Sequence, residues 1–483
     1  MKPITLTITF ALTLVGCTTN TQPVPPDLSA VGTDFKNEKF IDARALDSAV
    51  WRSFEDPVLA TLVAQAKAAN LDVRIAQQRV LMARAGSQAV ASRGLPTVAL
   101  AGSVSNQRSD LPDEVKRGSP DTRSVRVGVD MNWELDVFGA ASAAGKAAEF
   151  DALTADAAVE LAQWMVGAEA ARQYLLWQSA RLRLQHWQVL HRAQKDSERL
   201  MRNRQSNDMA SHLDLSRSAA AVQSVAAQIP QLRNAVAVAE TQIQVLLGKS
   251  PSQPIAWMNR EDRPRLPVIQ VIGPGQPLEL IQRRPDLRVA QQQLQAESAR
   301  LRESQANLWP RFYLSAAVGQ QDLRLNVLDL SPAIFTNIAL AFTAPVFNAG
   351  RLRAARDRQS ARAREATLQY ERAVLLALHD VENSLVSLSA ARERKAALDA
   401  SVASEREGLK HAQSLYREGQ IDGLSLLDAQ RAVIVAELAA IDAHTLGALS
   451  VVQLIQSLGG GWQTEAVQIS EVDTETTPNT QQP

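Results

Sequence analysis

Two stretches without a single proline, 121–229 and 346–477, restrict the possible folds of this chain more than anything else in it. Alanine, leucine, glutamine, arginine and glutamate dominate both. These are strong helix formers, so each stretch predicts helices far longer than those of ordinary globular domains. Residues 140 to 204 as one helix would reach ~98 Å at about 1.5 Å per residue. Such helices must lie side by side, and the apolar spacing agrees. Val374, Leu378, Val381, Leu385 and Leu388 alternate steps of four and three, while Leu161, Ala168, Leu175, Leu182 and Val189 recur every seven. This is coiled-coil periodicity.

Each long helix is followed by a break and a second periodic stretch, roughly 209 to 247 and 422 to 458, so the helices pair as hairpins. The tip of the second hairpin is the most informative segment, running from Tyr416 to Arg431. Gly419 there supplies the left-handed backbone that ends a helix. The matching place in the first half is Asp208, and aspartate adopts that conformation less readily, so the first tip is expected to turn differently. Pro230 is expected to kink the first returning helix.

The two halves are one design written twice. Aligning Asn70–Leu100 with Arg284–Leu314 without gaps gives eight identities in 31 positions, among them Asp72 with Asp286, Arg74 with Arg288 and Pro96 with Pro310. Between the helices lie segments of period two. Val125, Val127, Val129, Met131 and Trp133 share one face, backed by Ser124, Arg126, Gly128, Asp130 and Asn132. Ile334, Thr336, Ile338, Leu340 and Phe342 repeat the pattern, as do Phe312, Leu314, Ala316 and Val318. Val98, Leu100 and Val104 complete a set of four strands.

Strands of that length suit a transmembrane barrel with a wet lumen, but the alternation also fits a half-buried sheet of a soluble domain. Four strands cannot close a barrel across a membrane, so a spanning role requires at least two chains.

The chain opens with Lys2 and an apolar run from Ile4 to Val15, the layout of a secretory signal too short to span a bilayer. Leu14-Val15-Gly16-Cys17 resembles the bacterial lipobox, which implies covalent lipid on Cys17; no other cofactor is expected. Cys17 is the only cysteine, which excludes an intramolecular disulfide and argues against a cysteine metal site. Thr18 after it implies, on the same resemblance, sorting to the outer membrane. With 51 basic and 51 acidic residues there is no global footprint for nucleic acid.

The loops carry recognisable words: Trp133-Glu-Leu-Asp-Val-Phe-Gly139, Arg283-Arg-Pro-Asp-Leu287 and Pro345-Val-Phe-Asn-Ala-Gly-Arg-Leu352. With the tip segment they resemble TolC-type outer-membrane efflux proteins, in their lipidated OprM-like branch, over about Trp51 to Gly461. Departures are Ala140 where the family has arginine, Ala349-Gly350 where it has two glycines, and no glycine at Asp208. The resemblance implies a mainly helical fold with transmembrane strands: a homotrimer whose twelve-stranded barrel in outer-membrane lipid is continued by a long periplasmic helical barrel. It further implies docking of a periplasmic adaptor (membrane fusion) protein and an inner-membrane pump of the RND type.

The organisation expected is 1–16 signal peptide, 17–50 lipidated tether, 51–270 first repeat (β-hairpin about 97–135, helical hairpin about 140–247), 271–461 second repeat (β-hairpin about 311–347, helical hairpin about 350–458) and 462–483 disordered tail. The family's constriction position falls on Asp428, with Arg431 three residues along the same helix face and Ser425 where the family has a second acid. Cation binding at this gate is therefore expected to be weaker than with two acidic rings. Tyr416, Gly419 and Asp208 read as turn and packing residues, and Arg417 and Glu418 as exposed candidates for adaptor contact. The Arg-Arg-Pro-Asp run is expected to cap a helix, with Pro285 at its start and Asp286 in its first turn.

No catalytic site is expected. The six histidines show no metal-ligand spacing, and phosphate loops and nucleophile elbows are absent. The rival reading is a periplasmic structural or adaptor lipoprotein with a small soluble β domain. An adaptor would carry its β domain between the arms of one hairpin, whereas here strands flank two hairpins.

Overall fold

A computed structural model of the chain describes residues 26, 32, 35–37, 51, 54–108, 110, 112, 121–209, 211–255, 257–258, 264–267, 277–325 and 328–460. Cys17, the signal segment and the C-terminal tail lie outside the described residues. The elements run α1 (Pro57–Ala69), α2 (Leu71–Ala91), β1 (Thr97–Gln107), β2 (Thr122–Leu135), α3 (Ala140–Gln205), α4 (His212–Leu246), α5 (Pro277–Arg283), α6 (Pro285–Ala306), β3 (Arg311–Leu325), β4 (Leu328–Thr343), α7 (Arg351–Arg417) and α8 (Gly423–Ser457). Helices α3 and α7 have 66 and 67 residues, and the returning helices α4 and α8 have 35 each. Pro230 lies inside α4, which continues through it.

The chain divides into two compact units that cut across the repeats. Among the described residues, one contains those of 93–147 and 294–369, and the other those of 28–92, 148–293 and 370–460. Each draws on both halves because strands pair with strands.

In the first unit the sheet order is β1-β2-β3-β4, antiparallel throughout. The register places the four predicted apolar stripes on one face: Leu100 opposite Val129, Val129 opposite Val318, and Leu314 opposite Leu340. That face is bare. Leu100 is 80% exposed, Ile338 75% and Phe342 70%, where the inward face of a soluble sheet would be covered. Trp133 donates its indole N–H to Gly94 O at 2.9 Å, pinning the start of the first hairpin to its end.

Beyond β2, Asp136 caps α3 by accepting from the amides of Ala141 and Ser142 and the Ser142 hydroxyl. Burial works against its ionisation, but these hydrogen bonds outweigh it and hold the carboxyl below its ordinary range. A depressed folded-state pKa means that the contribution is complete above about pH 4 and is lost as the pH falls through the lowered value. Asp136→Ala is expected to cost about 1 kcal/mol at neutral pH. Thermal unfolding of both proteins at pH 7 and pH 3 checks this; a cost that does not shrink in acid would mean that the carboxylate charge contributes nothing. At the corresponding junction after β4, Ala349 itself adopts φ +48° ahead of Gly350 at φ +84°, so alanine bears a left-handed backbone where the resemblance has glycine.

The second unit has one main core, with Phe54, Leu59, Tyr174, Leu175, Trp177, Leu385, Leu454 and Ile455 essentially inaccessible to solvent. The Val374, Val381, Leu385 and Leu388 stripe is buried as its spacing predicts, whereas Val189 of the other stripe remains 45% exposed. Phe35, within the segment expected to be a tether, is buried in this core. Beside it Lys36 N–H and the Asn37 amide both donate to Glu382. Helix α8 is long and apolar enough to cross a bilayer by length and composition, but it carries Val451, Leu454 and Ile455 into the core. Pro285 opens α6 with Asp286 in its first turn, so the Arg-Arg-Pro-Asp run does cap a helix.

Candidate functional site at the hairpin tips

Both tips are built by the same hydrogen bonds. In the second, Gly419 at φ +73° donates to Tyr416 O at 3.1 Å, and Gln420 N–H donates to Leu415 O at 2.9 Å. In the first, Asp208 at φ +57° donates to Gln205 O at 3.1 Å, and Met209 N–H donates to Arg204 O at 2.8 Å. This is the Schellman pattern in each case. The expectation that Asp208 would turn the first tip differently is therefore overturned. Aspartate is among the few non-glycine residues that enter the left-handed region as single residues, and two backbone bonds hold it there.

The returning helices start with different caps. Ser211 and Asp214 form a reciprocal capping box on α4, while Asp422 caps α8 by accepting from Ser425 N–H at 2.8 Å. Ser425, the position expected to lack a second acid, thus serves the cap through its backbone. Hydrogen bonding from Ser425, helped by the Arg204 charge, holds the Asp422 carboxyl below the ordinary range.

Tyr416 is half-buried and accepts a hydrogen bond from Arg204 Nη2 at 3.1 Å, tying α7 to α3. Gly423 is buried beneath them. A Cβ on it would meet Met201 Cε at 3.0 Å, Arg204 Nη1 at 3.6 Å and Tyr416 Cε2 at 3.8 Å. Arg417 and Glu418 are exposed and engaged locally, Arg417 donating to Gln413 O and Glu418 accepting from Ser414 and Gln420.

Between the two hairpins lies a cavity of ≈ 480 Å³ whose lining includes Arg204, Asp214, Arg217, Asp422, Asp428 and Arg431. Asp428 and Arg431 are both exposed, and no salt bridge among the described residues involves either. The pairing of Arg431 with a neighbouring acid is not made within one chain. The Arg204–Tyr416 tie and the place of Arg217 were missed from sequence; matching the two tips at Asp208 and Gly419 and reading on into the returning helices would have set Arg217 against Asp428.

Two histidines do more than face solvent. His186 Nδ1 lies 3.1 Å from Glu437 and His444 Nε2 lies 2.9 Å from Asp399, and all four line a second cavity of ≈ 510 Å³. Hydrogen bonding from Lys395, then from His444, holds the Asp399 carboxyl below its usual range. Among the described residues, no group of three histidine or carboxylate side chains is placed to hold a metal ion.

A duplicated chain with one bare-faced antiparallel sheet and two long helical hairpins defines a TolC-like channel. A model of the family described as outer membrane efflux protein matches residues 62–249 and 277–460, and the chain belongs to that family. It is 29% identical to outer membrane protein OprJ of Pseudomonas aeruginosa, over 86% of this chain and 87% of the relative. Antibiotic efflux pump outer membrane protein ArpC of Pseudomonas putida is 27% identical, over 89% and 88% of the two chains. Among solved structures, the outer-membrane channel OprN matches with a TM-score of 0.82 at 30% identity, covering 91% of this chain and 98% of that one. The protein is thus an outer-membrane channel of an efflux pump and not an enzyme.

Proposed function

We propose that three copies of this chain, anchored by lipid on Cys17, form the exit duct of a tripartite pump that exports small toxic molecules such as drugs. The carrying observation is the sheet, whose strands β1 and β4 are unpaired edges beside an exposed apolar face. In lipid an open edge leaves backbone N–H and C=O groups unsatisfied, so the edges must be closed by other copies. Three four-stranded sheets give twelve strands, an even number within the range of known barrels. Exposed Val238, Val245, Leu368 and Leu375, spaced by seven within each helix, give the helices apolar rows for the same neighbours. A periplasmic adaptor docks at the tips, where Arg417 and Glu418 are exposed, and an inner-membrane pump of the RND type supplies the energy.

Exported protein carrying Cys17→Ser is expected to remain a detergent-requiring trimer by native mass, because the barrel and not the lipid makes it a membrane protein. A water-soluble monomer would support the rival periplasmic reading instead. At the tip, Asp428→Ala is expected to raise single-channel conductance and entry of large antibiotics, since an exposed carboxylate without a partner in its own chain is available for links between chains. Unchanged conductance and permeability would remove Asp428 from the gate.

A further inference from the structure

Arg217 occupies in the first half the place that Asp428 occupies in the second. Each lies six residues beyond the N-cap of its returning helix, Ser211 for α4 and Asp422 for α8. The correspondence needs no gap, since both helices have 35 residues, both follow the same closing turn, and both end at a left-handed glycine, Gly248 or Gly459. Arg217 and Asp428 line one cavity, both are exposed, and neither joins a salt bridge among the described residues. The other acid at this level in the first half, Asp214, is held by Ser211, its Oδ2 accepting from the Ser211 hydroxyl at 2.7 Å. Its counterpart in the second half is uncharged Ser425.

We infer that Arg217 is the counter-ion of Asp428 at the closed tip, the two alternating around the channel axis in a ring of acid–arginine pairs. The inference rests on the trimeric duct proposed above and concerns what holds that duct shut. A purely acidic ring repels itself and is drawn together by bound cations, whereas an alternating ring attracts itself. Such a ring needs no cation to close, and its closure weakens as salt screens the pairs. Arg431 also faces the cavity, but its place in the first half is taken by Ala220, so only Arg217 and Asp428 put opposite charges at one level.

A charge-reversal cycle tests this in full-length protein reconstituted in planar bilayers, with the trimer verified by native mass. Arg217→Asp and Asp428→Arg are each expected to raise the open probability roughly tenfold, because each leaves like charges facing one another. The double variant is expected to return to within about twofold of the original protein, the signature of direct coupling. Failure of the double variant to revert, or no effect of Arg217→Asp where Asp428→Arg opens the channel, would overturn the pairing and leave the duct intact. An unmodified protein that forms neither trimer nor channel would instead overturn the duct, and the pairing with it. Should a reversed charge prevent assembly, the near-isosteric Arg217→Gln serves in its place. It is expected to raise open probability at low salt and flatten its salt dependence, and an unaltered salt profile would refute the role.

Discussion

Gly319→Val is expected to leave the protein unassembled, with little or no channel in the outer membrane. Gly319 of β3 stands opposite Gly128 of β2 on one side and Phe335 of β4 on the other. A Cβ on Gly319 would lie 2.3 Å from Val127 O, 2.5 Å from Gly128 Cα and 2.9 Å from Phe335 Cε1. Two of these three atoms are backbone, so no change of rotamer relieves the overlap, and the strands must part. Overpacking costs about 1–3 kcal/mol even where side chains can give way, so the cost here is expected to reach at least about 3 kcal/mol. The glycines exist to seat the Phe335 ring, and Arg126, paired with Asp130 at 2.7 Å, holds its guanidinium 4.4 Å from the ring centroid. Gly102→Val is the control: the nearest atom to its added Cβ is 3.7 Å away, and this variant is expected to assemble. Trimer yield from outer-membrane fractions decides the matter, and equal yields from the two variants would show that the cross-strand glycines are dispensable.

The second large effect is expected from Arg284→Ala, which should destabilise the second unit by about 3 kcal/mol. Arg284 is only 4% exposed, and its guanidinium donates to Ser457 O at 2.9 Å, to Asp380 at 3.1 Å and to Asp286 at 2.8 Å. Burial opposes its charge, but the two carboxylates outweigh that and raise the guanidinium pKa above its ordinary value. Asp380 is half-exposed and its share is screened, so most of the loss comes from a helix-end carbonyl left without its donor and from the emptied side-chain volume. The first half uses a smaller version of the same clamp, with Asn70 Nδ2 donating to Leu246 O at 3.1 Å. Arg284→Lys is expected to recover less than half of the loss, because an ammonium cannot reproduce the planar fork. Denaturant midpoints measure both, and a shift below about 0.5 kcal/mol for the alanine variant would show that the clamp carries no stability.

The long helices, the four strands and their apolar face, the duplication and the glycine turn at Gly419 were all legible in the sequence. The duplication is read by comparing the sequence with itself, and each of the others depends on local propensity or on a period repeated along a few neighbouring residues. Other features came only from residues far apart in the chain meeting in space. Phe335 lies on the polar side of the sheet because two glycines from different strands leave room there, something that alternation within β4 cannot reveal. Phe35 leaves its expected tether for the core, Tyr416 bonds to Arg204 some two hundred residues away, and Arg217 and Asp428, from the two halves of the chain, line one cavity. Periodicity determines which face of an element seeks a partner, but the partner itself is set by packing and register between distant elements.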